Sequence, residues 1–186
     1  MSVLNPGDSF LYMKVGVHAN ETLEDIIKRK RQEIEDAGVS FWGYGGSSCH
    51  PYNAVQPFVR EETAKGTKVR LLMQEITSRH YAEGLAKEYS PDGKNYYPVP
   101  KGVNVLGSRY ALVVNTLDPI EAALSLSDTK VGIGNKRGIR GDQYIRGHVD
   151  KACLVYSPGA GFAERKADIE LSLSAVLAEP YAVVLR

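Results

Sequence analysis

The stretch Phe41-Trp42-Gly43-Tyr44-Gly45-Gly46-Ser47-Ser48-Cys49-His50-Pro51 gathers more chemical capability than any other part of the chain. It carries the sole Trp, one of two Cys and one of four His. Glycine admits positive φ and lets the backbone come close to another group. Trp42 and Tyr44 can cover a planar or apolar ligand, while Ser47, Ser48, Cys49 and His50 supply hydrogen bonds or nucleophiles. One reading is a binding loop, with aromatics stacked on a ligand and the amides of Gly45 and Gly46 facing an anion. Another makes Cys49 or Ser48 a nucleophile with a His as base. Neighbouring side chains rarely face each other, so His50 serves Cys49 poorly, and His80 or His148 would have to act. The plain alternative is a buried Cys beside a His that closes the loop.

A second constellation lies at residues 132–148, where Gly132, Gly134, Gly138, Gly141 and Gly147 alternate with Lys136, Arg137, Arg140, Arg146 and His148. Main-chain N–H groups and guanidinium forks are suited to phosphate. The stretch has neither the Walker A pattern nor the Rossmann spacing, and an exposed surface loop explains it equally well. Together the two loops suit a nucleotide, with the base on Trp42 or Tyr44 and phosphates on Arg137, Arg140 and Arg146. Arg109 opens a strand, as a pocket cation or as half of an exposed ion pair. The four His form no i, i+4 pair and there is no Cys-x-x-Cys, so no metal or other cofactor is expected. Tyr96 and Tyr97 suit a cleft wall or an edge strand, and Asp92 in Pro91-Asp92-Gly93 is a turn residue.

The elements that must position these groups follow from periodicity. Residues 9–17 alternate as a strand, and residues 67–77, 108–116 and 151–156 are apolar strands of a sheet interior. Residues 39–42 form a short strand that delivers the chain into the Gly-rich loop. The clearest helix starts at an Asn20 N-cap, carries Glu21, Glu24 and Asp25 at its positive end, and stops at Gly38. Leu23, Ile26, Ile27 and Ile34 share its apolar face. Its run Lys28-Arg29-Lys30-Arg31 invites nucleic acid but reads more simply as a solvated face paired with Glu24, Glu33 and Glu35. Residues 53–60 contain Pro57 and read as irregular or a short helical turn. Residues 78–88 read as a short helix, and 118–126 as a helical turn or loop. Residues 169–178 alternate as a half-exposed strand, which Pro180 ends before a last strand at 181–185. The expected fold is α+β: a single domain over residues 1–186, with a mixed or antiparallel sheet. One long amphipathic helix and one or two short ones pack on it, and closure into a small barrel is the variant.

The 186 residues are 43% hydrophobic and 24% charged, with a net charge of +1. That composition is ordinary for a soluble globular chain and sets up no overall field toward nucleic acid or membrane. No apolar run approaches the ~18 residues that span a bilayer, and residues 1–10 lack the pattern of a secretory signal. A cytoplasmic location with both Cys reduced is expected.

The leading expectation is a small soluble protein that binds a nucleotide-like or phosphorylated molecule, as a sensor or to sequester a signalling nucleotide. The ligand would lie between the two loops on Trp42, Tyr44, Gly45, Gly46, Ser47, Ser48, His50, Arg109, Arg137, Arg140 and Arg146. One alternative is a hydrolase or lyase acting on a phosphoester or nucleotide through His50 or His148. Another is a reader of nucleic acid or a modified base. The turn Asn5-Pro6-Gly7-Asp8 leading into a strand is similar to one in PUA-like barrels, a resemblance that implies RNA or modified-base recognition. Exposed Tyr and apolar edge strands would suit a homo-oligomer.

Overall fold

Alternation along β1 (Ser9–Val17) sends Leu11, Met13 and Val15 to one face and Phe10 and Tyr12 to the other. Both sets are buried, so β1 lies inside the sheet. The computed structural model describes residues 3–17, 21–44, 50–77, 84–106, 108–146, 149, 151–159 and 168–186. Its remaining strands are β2 (Ser40–Tyr44), β3 (Arg70–Thr77), β4 (Glu88–Ser90), β5 (Tyr97–Pro98), β6 (Tyr110–Ser125), β7 (Thr129–Val131), β8 (Lys151–Tyr156) and β9 (Asp168–Leu185). Its helices are α1 (Leu23–Ala37), α2 (Tyr52–Ala64) and the four-residue α3 (Gly141–Tyr144).

All strands join one mixed sheet, ordered β2-β6-β9-β3-β1-β8-β7, with the β4-β5 pair attached to the end of β9. Only β1 and β3 run parallel. The long strands β6 and β9 pair through three register shifts, each a place where the ladder can bend. Beyond the bend β2 flanks β6 and β4 flanks β9; before it, β3 flanks β9. The result is a curled α+β sheet that does not close, which corrects the barrel variant. Its two end strands, β2 and β7, pair with different neighbours and not with each other. No described helix is long and apolar enough to cross a membrane.

Helix α1 starts two residues later than the sequence implies. Thr22, not Asn20, is the N-cap, and a capping box with Asp25 fixes it. Gly38 ends the helix at φ 79. Its basic run is a solvated face only in part: Lys28 and Arg31 are exposed and Arg29 half-buried, but Lys30 points inward. Lys30 is buried, Arg29 pairs with Glu21, and Arg31 reaches Leu117 O and Asp118.

Helix α2 occupies the stretch expected to be irregular. Pro57 lacks the N–H that would bond one turn back, a cost of roughly 3 kcal/mol. Burial of Val55, Phe58 and Val59, worth about 1.5–3 kcal/mol each, outweighs it. Residues 118–125 continue β6 rather than forming a helical turn, and Pro180 sits inside β9 beside a cis Glu179–Pro180 bond without ending the strand. Of the short helix expected over 78–88, residues 78–83 lie outside the described residues; the rest is a bridge at Leu85 and the start of β4.

Candidate functional site

A cleft of about 310 Å³ opens where β1, β2 and α1 converge. Its walls are Lys14, Val15 and Gly16 of β1, Phe41, Trp42 and Gly43 of β2, Ile26, Arg29 and Lys30 of α1, the residues Asn104, Val105, Leu106 and Ser108, and Lys151 at the head of β8. Trp42 is 7% exposed, so it forms a wall of the cleft rather than an open stacking platform. Gly43 is required by its neighbours. A Cβ there would collide with Ser108 Oγ and lie 3.2 Å from Val105 Cγ2.

The floor of the cleft is neutralised from within. Lys30 Nζ donates to Glu33 Oε2 at 3.0 Å, Phe41 O at 2.7 Å and Asn104 O at 2.9 Å. Glu33 also accepts from the Ser40 hydroxyl and from the Asn104 N–H at 3.2 Å. Burial pulls the Lys30 pKa below its ordinary 10.5, and Glu33 opposes that pull. With all three protons bonded, Lys30 is a structural cation that ties α1 to β2. Arg29 is likewise held by a two-point contact with Glu21, at 2.9 and 3.3 Å. Lys14 forms no ion pair among the described residues, and together with Lys151 it brings positive charge to the rim.

A smaller apolar pocket of about 20 Å³ adjoins the cleft and shares Met13 and Lys151 with it. Leu11, Tyr44, Val55, Leu112, Cys153 and His50 line it as well. His50 precedes α2, and its ring stacks on Tyr144 with centroids 5.8 Å apart and 10° between planes. Nε2 and the Tyr144 hydroxyl are 3.3 Å apart. A Cβ added at Gly134, which has φ 77, would come within 3.7 Å of Nε2. Burial lowers the His50 pKa from 6.5, so the imidazole is neutral at pH 7. Its Nδ1 is buried with no hydrogen-bond partner among the described residues. Burial pushes the Cys153 thiol far above its ordinary range, which removes it as a nucleophile.

The structure therefore joins the two loops singled out in the sequence through the contact of His50 with Tyr144. The arginines, however, face elsewhere. Arg140 grips Asp142 with two bonds of 3.0 Å, and Arg146 Nε donates to Asp142 O, so both brace α3. Arg137 is exposed, and Arg109 is exposed with its guanidinium 5.5 Å over the Tyr110 ring. Tyr44 is buried against Tyr110 at 5.6 Å. Tyr96 and Tyr97 do not line the cleft. Gly45, Gly46, Ser47, Ser48, Cys49, His80 and His148 lie outside the described residues. No group of three His, Cys, Asp or Glu among the described residues could hold a metal.

Sequence reasoning missed Lys14, Lys151, Asn104, Tyr144 and the burial of the Lys30–Glu33 pair. One signal for the pair was present: Lys30 is four residues from both Ile26 and Ile34, which puts it on the inner face of the helix. Lys14 and Lys151 have no such signal, because only the β1-β8 pairing, with Met13 opposite Lys151, brings them together. No family model matches the chain, and no curated protein or solved structure does either.

Proposed function

We propose that the protein binds a small anionic molecule with a planar group, nucleotide-like or otherwise phosphorylated, in the cleft beside Trp42. The observation that supports this is a cleft of ligand size with an aromatic wall, a charge-balanced floor and lysines at its rim. The anion contact falls to Lys14, because none of Arg109, Arg137, Arg140 and Arg146 lines the cleft. A role as sensor or sequestering protein fits this arrangement. A hydrolytic role would draw on His50 and would be distinguished by product accumulating beyond one equivalent.

The sole Trp makes the test direct. The full chain is titrated with adenosine, inosine and cyclic adenosine monophosphates and with ribose 5-phosphate, following intrinsic fluorescence. A saturable change is expected, weakened by added salt. Lys14→Gln should raise Kd about 10-fold, equivalent to ~1.4 kcal/mol. No saturable response to any of the four would overturn the reading.

A further inference from the structure

We infer that Glu21 holds the place of the ligand's anionic group: an incoming phosphate monoester displaces its carboxylate from Arg29, and the Arg29 guanidinium then binds the anion. The inference rests on the ligand-binding reading above and names the class of anion that site takes. Glu21 and Arg29 both line the Trp42 cleft. Arg29 Nε and Nη2 donate to Glu21 Oε1 and Oε2 at 2.9 and 3.3 Å. A guanidinium offers the same two-point edge to a carboxylate or to two oxygens of a phosphate. The side chains of Arg29 and Glu21 are 36% and 32% exposed, so a molecule in the cleft can reach the pair.

Glu21 is the replaceable partner. Its side chain forms no other hydrogen bond or ion pair among the described residues. It precedes the N-cap, and Thr22 and Asp25 build the capping box, so the start of α1 does not depend on it. Arg29, by contrast, also has Glu33 Oε1 3.7 Å from its Nη1 and keeps that neighbour when Glu21 leaves. The other cation–carboxylate pair of the cleft, Lys30–Glu33, is buried, and breaking it is costly. The exchange also sets the class of anion. A carboxylate on the ligand replaces like with like and gains little. A phosphate monoester carries about −1.5 to −2 charges at pH 7 and three acceptor oxygens, more than the group it displaces. Lys14, which forms no ion pair among the described residues, draws the anion in before the exchange.

Adenosine, adenosine 5′-carboxylate and adenosine 5′-monophosphate test this on the full chain, with Trp42 fluorescence as the readout. In wild type the carboxylate should bind within about 2-fold of adenosine, and the monophosphate about 10-fold tighter. Glu21→Gln keeps the shape of the side chain and removes its charge. It should tighten both anionic ligands about 5-fold and leave adenosine unchanged. In an Arg29→Gln background that gain should fall below about 2-fold. In wild type the Arg29 Nε–H signal in 1H–15N spectra should move with the monophosphate and stay in place with adenosine. Unchanged monophosphate affinity in Glu21→Gln, an equal gain for adenosine, a gain that survives in full in Arg29→Gln, or an Arg29 signal indifferent to the monophosphate would overturn the inference while leaving the cleft as a binding site. Absence of any Trp42 response to all three ligands would overturn the binding reading and this inference with it.

Discussion

Glu33→Ala should be among the most damaging single substitutions in this protein, although it removes no apolar core residue. Glu33 is 4% exposed and Lys30 6%. The carboxylate collects the Lys30 ammonium, the Ser40 hydroxyl and the Asn104 N–H. Alanine leaves a buried ammonium with two carbonyl partners and no counter-charge, together with two orphan donors. Breaking a buried pair in this way costs about 3–5 kcal/mol. In a chain of this size the corresponding fall in Tm is on the order of 10 °C. The surviving bonds from Lys30 to Phe41 O and Asn104 O place the cost toward the lower end of that range. Urea unfolding followed by Trp42 fluorescence and circular dichroism measures it. The double variant Lys30→Met/Glu33→Leu removes both charges together, so it should cost less than the sum of its two single changes, with a coupling of about 2 kcal/mol. A Glu33→Ala protein within about 1 kcal/mol of wild type, as an exposed pair would give, would refute the reasoning.

Gly43→Ala should destabilise by about 1–3 kcal/mol through overpacking against Ser108 and Val105, and Ser108→Gly in the same chain should restore part of the loss; a neutral Gly43→Ala in a urea melt would show that the two segments are not held together. His50 sets a pH dependence. Its folded-state pKa lies below 6.5, so on acidification the unfolded chain takes up the proton first. Stability is then full above about pH 6.5 and is lost as pH falls through the folded-state value. Urea midpoints should drop more between about pH 7.5 and about pH 5.5 in wild type than in His50→Gln, and parallel drops would assign the acid sensitivity to other groups.

How much of this was legible in the sequence depended on whether local pattern and tertiary context agreed. They agreed in β1, whose bounds match the alternating run, and in β8 and α1, where apolar spacing and the Gly38 stop are unambiguous. They disagreed at Pro57 and Pro180. Pro57 reads as a helix breaker, yet the buried face of α2 outweighs one missing bond. Pro180 reads as a strand end, yet it lies near a register irregularity between β6 and β9, where a lost donor is tolerated. At the site the aromatic stretch was legible as pocket material, and Trp42 does line the cleft. The phosphate assignment to the Arg/Gly segment rested on composition, and composition does not reveal that Asp142 already occupies Arg140 and Arg146.

The charge pattern of the cleft carries a further consequence. Of its lining residues, Arg29 is paired with Glu21 and Lys30 with Glu33 behind it, so these cations contribute little net field and any attraction for an anion would arise elsewhere in the lining. What the floor supplies instead is rigidity. Lys30 bonds to Phe41 O, the carbonyl just before Trp42, and Gly43 just after it lies hard against Ser108 and Val105. The indole is thus fixed from both sides along β2, and its orientation is set before any ligand arrives. On the proposed reading, binding would then lose less conformational entropy than on a mobile aromatic. On the proposed binding reading, the buried Lys30–Glu33 pair would lower the cost of recognition without touching the ligand, through its bond to the carbonyl before Trp42.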